Sequence, residues 1–248
     1  MPGLDWITAR PIAHRGLHDA AAGVIENTPS AVRAAIAADY GIEVDLQISA
    51  DGEAMVHHDD ALGRLTDGSG RLADMQAADL KAVAFKATRD RMMTLGELCD
   101  LVAGRATLLL ELKSHFDRDR RLAARVVEVL TKYAGPVAAM SFDPDHVAAL
   151  HALAPGLPRG IVAERRYSDG EWRRLTPAQR RSLKWMLHAG RTRPHFVAYA
   201  VKDLPAVAPL IARWLLGMPL LAWTVRSEQD RKRAARWAGQ MIFEGFRP

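Results

Sequence analysis

A chain of 248 residues in which 49% are hydrophobic and 25% charged is large enough for a full α/β domain; a mini-protein, a disordered chain and a fibrous repeat are excluded. Cys99 is the only cysteine, which rules out an internal disulfide and a cysteine-based zinc site and suits a reducing compartment. Lys and Arg number 34 against 29 Asp and Glu, a net charge of +5 that favours anionic partners.

Residues 1–15 contain Asp5, Arg10 and Pro11 and lack the apolar core of a secretory leader, so a cytoplasmic location is expected. Strand patterns then recur over 11–14, 41–47, 107–113, 137–142, 159–163, 196–201, 220–225 and 240–243. Helical periods fall between them, over 29–38, 94–103, 118–132, 144–154, 177–188, 204–215 and 228–238. Eight strands alternating with helices predict a TIM (β/α)8 barrel, one domain spanning 1–248. Thr28 followed by Pro29 marks the start of the first long helix as an N-cap with proline behind it. In the 118–132 segment Leu122, Val126, Val129 and Leu130 form one apolar stripe with arginines opposite, as an outer barrel helix requires. Residues 59–91 break the rhythm with Asp67, Gly68, Ser69 and Gly70, and are expected to be a small insertion after the second strand. The longest apolar stretch, near 215–222, is well short of the roughly 20 residues a membrane span needs.

Ionisable side chains gather at the ends of the expected strands. Glu43 and Asp45 are two apart in a strand and so share a face. Two inward carboxylates repel unless a cation or donor lies between them, which makes metal binding one reading and a pair of exposed acids the other. Glu111 and Lys113 end an apolar strand at what would be the functional end of a barrel; Glu111 either completes a carboxylate triad or pairs with Lys113. His14 closes the first strand, and only one of His57 and His58 can face inward. His115 lies just past Glu111, while His18, His146, His151, His188 and His195 carry no motif. Between Arg159 and Arg193 ten Lys and Arg accompany Glu164, Asp169 and Glu171. That run reads either as a surface for anionic head groups or as a solvated helix face, and the second is preferred. No nucleic-acid-binding module accompanies the charge.

The ordered set His14-Arg15-Gly16, Glu26-Asn27-Thr28, Glu43-x-Asp45-x-Gln47, His58-Asp59, Glu111-Leu112-Lys113 and Trp223-Thr224-Val225 resembles the glycerophosphodiester phosphodiesterase family along nearly the whole chain. The resemblance implies a barrel enzyme that hydrolyses glycerophosphodiesters to an alcohol and sn-glycerol 3-phosphate with a divalent cation, Ca²⁺ or Mg²⁺. It puts catalysis on His14 and His58, the metal on Glu43, Asp45 and Glu111, the phosphate on Arg15 with Lys113 beside it, and the alcohol end of the substrate near Trp223. Residues 59–91 match the position of a family insertion that caps the mouth. A lysophospholipase D-like lipid phosphodiesterase and a catalytically silent phosphate-binding barrel are the alternatives. Two departures from the family pattern stand out: Arg226 where asparagine is common, and Glu244 near an expected Thr-Asp pair.

Overall fold

The computed structural model describes residues 3–168 and 170–248. Eight parallel strands close into a barrel: β1 (Ile12–Ala13), β2 (Gly41–Ile48), β4 (Leu108–Leu112), β5 (Val137–Ser141), β6 (Arg159–Ala163), β7 (Phe196–Ala200), β8 (Leu220–Val225) and β9 (Gln240–Phe243). Closure is made by β1, which pairs with β2 on one side and β9 on the other. A short strand, β3 (Ala54–Val56), folds back antiparallel onto β2. The outer layer comprises α2 (Pro29–Ala37), α4 (Leu95–Val102), α5 (Arg121–Leu130), α6 (Pro144–Leu153), α7 (Pro177–Lys184), α8 (Ala189–Thr192), α9 (Val207–Trp214) and α10 (Glu228–Trp237). A short α1 (Asp5–Thr8) precedes the barrel, and α3 (Ala77–Ala82) lies in the segment after β3.

Strand parity divides the core in two. Ile42, Val44 and Leu46 of β2 and Leu108, Leu110 and Leu112 of β4 point outward and pack against the helices. Ile12, Leu109, Met140, Val162, Phe196, Leu221 and Ile242 fill the barrel interior, with Ile7 of α1 joining them. Gly160 is required there, because a Cβ would stand 2.3 Å from the Phe196 ring. Above this plug the interior turns polar, since the parity that buries Leu109 also turns Glu111 inward.

Several local expectations are revised. Thr28 is the N-cap residue of α2 with Pro29 directly behind it, as expected, but its hydroxyl donates to the Ile25 carbonyl at 2.7 Å and makes no cap bond. The 177–188 helix divides: α7 ends at Lys184 and Met186 adopts a left-handed φ of 50° before α8. The 204–215 helix begins at Val207, after a 3₁₀ turn at Val201–Asp203 and Pro205. A strand not expected from the sequence, β3, pairs antiparallel with β2 just ahead of residues 59–91.

Candidate active site

The site is built at the C-terminal mouth from β1, β2, β4, β9 and the segment after β3. Glu43, Asp45 and Gln47 alternate with the outward apolar residues of β2, and Asp45 lies beside Glu111 in the β2–β4 register. One carboxylate oxygen from each of Glu43, Asp45 and Glu111 can be chosen so that all lie within 4.8 Å of one another, and all three residues are buried. Proximity of this kind raises Glu43 well above the ordinary carboxyl range, first through burial and then through repulsion from Asp45 and Glu111. Asp45 moves the other way. Burial acts to raise it, but Lys113 and Arg15 outweigh burial, and the His58 and His14 rings add to their pull.

Lys113 supplies the main counter-charge, with its Nζ 2.6 Å from Glu111 Oε1 and 2.9 Å from Asp45 Oδ1. Burial would lower this ammonium, yet the two carboxylates raise it above its ordinary value. Arg15 reaches the same cluster from the end of β1. Its backbone N–H donates to Glu43 Oε2 at 2.9 Å, Nη1 to Glu26 Oε1 at 2.7 Å, and Nε stands 3.1 Å from Asp45 Oδ2 as an ion pair off the hydrogen-bond direction. This reach depends on a left-handed turn, Arg15 at φ 57° and Gly16 at 78°. Gly16 also lies against α2, where a Cβ would meet Ala31 at 2.9 Å.

Asn27, the only asparagine in the chain, fixes Asp45 from both sides. Its Nδ2 donates to Asp45 Oδ2 at 2.9 Å and its Oδ1 accepts from the Asp45 N–H at 3.2 Å. After this accounting Glu43 Oε1 remains buried with no hydrogen-bond partner among the described residues. An orphaned anionic oxygen among three converging carboxylates fits a hard, oxygen-preferring cation.

The two histidines flank this cluster and are held differently. His14 Nε2 is 3.9 Å from Glu43 Oε2, and its Nδ1 makes a short contact with Glu244 Oε2. Burial lowers its pKa, opposed by the Glu244 bond. Glu244 itself is held below the usual carboxyl range; burial opposes this, and the hydrogen bond with His14, the nearby His18 ring and the Arg226 bond overcome it. His58 is more open. Its Nδ1 is 2.8 Å from Asp59 Oδ1, Asp59 pairs with Arg64, and Arg64 Nη2 reaches Glu26 Oε1 at 2.7 Å, which returns the chain of contacts to Arg15. Gln47 Nε2 donates to the His58 carbonyl at 2.8 Å. His57, facing away, is buried edge-on to Phe85.

His58, Lys113, Arg64 and His115 line an open cavity of about 640 Å³ at this mouth. Trp223 stands near the end of β8 with its ring edge-on to Phe142 at 5.5 Å and its indole Nε1 buried without a partner among the described residues. Thus Glu43, Asp45, Glu111, Arg15 and Lys113 form one charge cluster, with His14 and His58 beside it. The contributions of Glu26, Asp59 and Arg64 as a continuous strap, and of His18 beside Glu244, are additions from the structure. The Glu26-Asn27 and His58-Asp59 pairs, with Arg64 following them in the same family-like run, were the sequence signal for the strap.

Fold and polar mouth together define the class, a (β/α)8 barrel with a cluster of buried ionisable side chains at the C-terminal ends of its strands, the end where barrel enzymes carry their chemistry. The model of the glycerophosphoryl diester phosphodiesterase family matches residues 14–245, and the chain belongs to that family and is a phosphodiesterase. Among similar proteins, a glycerophosphodiester phosphodiesterase of Bacillus subtilis is 27% identical over 259 residues, covering 95% of this chain and 83% of that one. Another, from Caldanaerobacter subterraneus subsp. tengcongensis, is 30% identical over 162 residues, or 61% of this chain and 65% of that one. A phosphodiesterase of Oleispira antarctica, solved with the product sn-glycerol-3-phosphate, superposes with a TM-score of 0.77 at 22% identity, covering 96% of this chain and 94% of that one. The last likeness is one of fold.

Proposed function

We propose that this enzyme hydrolyses glycerophosphodiesters to an alcohol and sn-glycerol 3-phosphate, with Glu43, Asp45 and Glu111 holding a divalent cation, Ca²⁺ or Mg²⁺. The observation that carries the reading is the buried carboxylate triad with its unpartnered Glu43 oxygen, set between two histidines. When bound, the cation would offset charge on the phosphate oxygens. Arg15 and Lys113 add fixed positive charge at the same place and orient the diester.

Net hydrolysis adds water across one P–O bond: oxygen joins phosphorus, the ester oxygen leaves, and one proton passes from the nucleophile to the leaving alcohol. His14 and His58 are assigned those transfers, one accepting and one donating. Glu244 fixes the His14 ring through Nδ1 and Asp59 fixes His58 through Nδ1, so each ring is oriented and has Nε2 left for the reaction. Trp223 is assigned to the alcohol end, and the segment after β3 caps the mouth and restricts what enters. The same reading keeps the chain in the cytoplasm, where Cys99 remains a buried thiol.

The test is release of sn-glycerol 3-phosphate from glycerophosphocholine with added Ca²⁺ or Mg²⁺. Activity that EDTA abolishes and that His14→Ala or His58→Ala removes is the expected result. EDTA-insensitive turnover would sink the metal assignment. Faster turnover of lysophosphatidylcholine would move the substrate to a lipid, and ligand binding without turnover would make the barrel a silent binder.

A further inference from the structure

The catalytic mouth leaves unexplained an apolar face on the far flank of the barrel. Trp185, Leu187, Val207, Ile211 and Leu216 line one open groove of about 450 Å³ between the α7–β7 connection and α9. Leu187 is 64% exposed, and Leu215, next to the groove, is 77% exposed. Trp214 adds a further exposed ring at the end of α9. Isolated exposed leucines are ordinary, but this many large apolar side chains around one groove mark a docking surface.

The charge around the groove selects its occupant. Residues 172–227, which supply nearly all of the face, contain ten Lys and Arg and a single acidic residue, Asp203. Of these, Arg191 is neutralised by Asp145, Arg226 by Glu244 at the mouth, and Arg174 lines the mouth cavity, so the cations that bear on the groove are the ones nearest to it. Arg181 lines the groove itself, and Lys184 lies over the Trp185 ring at 5.5 Å. No carboxylate lines the groove among the described residues, and neither Arg181 nor Lys184 has an ion-pair partner there. A second copy docking through the same face would oppose cation to cation with almost no carboxylate to answer it. Apolar side chains rimmed by unneutralised cations, with aromatic rings at the boundary, match the headgroup region of a negatively charged bilayer.

We infer that this face seats the enzyme on an anionic lipid surface. The connections that carry it, after α7 and after α9, lead into the N-terminal ends of β7 and β8. The catalytic mouth lies at the opposite strand ends, so a bilayer at the groove leaves the mouth open to water.

The test is co-sedimentation of the whole protein with phosphatidylcholine vesicles and with mixed phosphatidylcholine and phosphatidylglycerol vesicles. Binding is expected to the mixed vesicles and to be at least about tenfold weaker to phosphatidylcholine alone. Each cation near such a surface contributes roughly fivefold, so Arg181→Gln with Lys184→Gln should weaken binding about 25-fold. Leu187→Ser with Leu215→Ser and Leu216→Ser should cost at least about tenfold. Circular dichroism of both variants establishes that they are folded, which their exposed positions favour. Failure to bind mixed vesicles, or binding that neither variant weakens, overturns the inference. So does a concentration-dependent dimer that the Leu→Ser variant disperses, which would assign the face to a second copy.

Discussion

Replacing Glu43 by glutamine should make the metal-free protein more stable while removing its response to metal. The Glu43 carboxylate is buried within 4.8 Å of those of Asp45 and Glu111. At an effective dielectric constant near 20, each like-charged neighbour at that distance costs about 3 kcal/mol. Lys113 offsets roughly one of them, which leaves about 2–3 kcal/mol of repulsion in the folded state. Glutamine keeps an oxygen for the Arg15 N–H and places an amide donor where Glu43 Oε1 now lacks a partner. For a chain of this length that release corresponds to a melting temperature roughly 4–12 °C higher. The assay is thermal denaturation in EDTA and in saturating Ca²⁺ or Mg²⁺, with hydrolysis of glycerophosphocholine measured in parallel. The wild type should gain stability with metal; Glu43→Gln should melt higher in EDTA, gain little from metal and lose activity. A variant that melts at or below the wild type in EDTA, or keeps the full metal-induced shift, would refute the argument that this carboxylate is strained for the sake of a cation.

Asn27→Ala removes both bonds that fix Asp45 and should weaken divalent-cation binding roughly 10- to 100-fold by calorimetry, with activity recovered at high metal concentration. Glu244→Gln should lower kcat by roughly 10- to 100-fold with little change in KM or melting temperature, because it loosens the His14 ring rather than the substrate. His188 is buried with both ring nitrogens unpartnered among the described residues, and burial lowers its pKa to about 4. The unfolded chain therefore takes up this proton first, so the stability tied to the neutral ring is complete above about pH 6.5 and falls as the pH drops toward 4, by about 3 kcal/mol in all. Urea unfolding at about pH 7.5 and about pH 4.5 should show the wild type losing more stability than His188→Leu; equal losses would exclude His188 as the cause.

The barrel was readable because parallel strands covered on both faces are nearly continuous apolar runs. β6, β8 and β9 coincide with their expected ends, and the period of two that turns Val44 outward is what turns Glu43 and Asp45 inward. The triad was legible for the same reason, and both readings of Glu111 hold together: it lies in the carboxylate cluster and is paired with Lys113. Features that depend on tertiary approach were not legible. β3 is three residues long and exists only through its pairing with β2, and the end of α7 depends on a left-handed Met186 that no glycine announces. The strap from His58 through Asp59, Arg64 and Glu26 to Arg15 requires the segment after β3 to fold over the mouth, a placement that spacing along the chain does not encode.

The two departures from the family pattern are best understood as one structural unit. Glu244, at the end of β9, directs one oxygen to His14 and the other to Arg226 Nε at 2.5 Å, while His18 Nε2 approaches from 3.7 Å. A glutamate is longer than an aspartate by one methylene and has more rotamers, so it needs a second anchor to present a fixed oxygen to His14. Arg226 is that anchor, and it follows directly after β8, the neighbour of β9. Arg226→Asn alone should therefore reduce kcat less than Glu244→Gln, because the His14 bond survives while its carboxylate gains freedom. If the two substitutions lowered kcat independently, so that the double variant lost the product of both effects, Arg226 and Glu244 would be acting separately and this account of the mouth would fail.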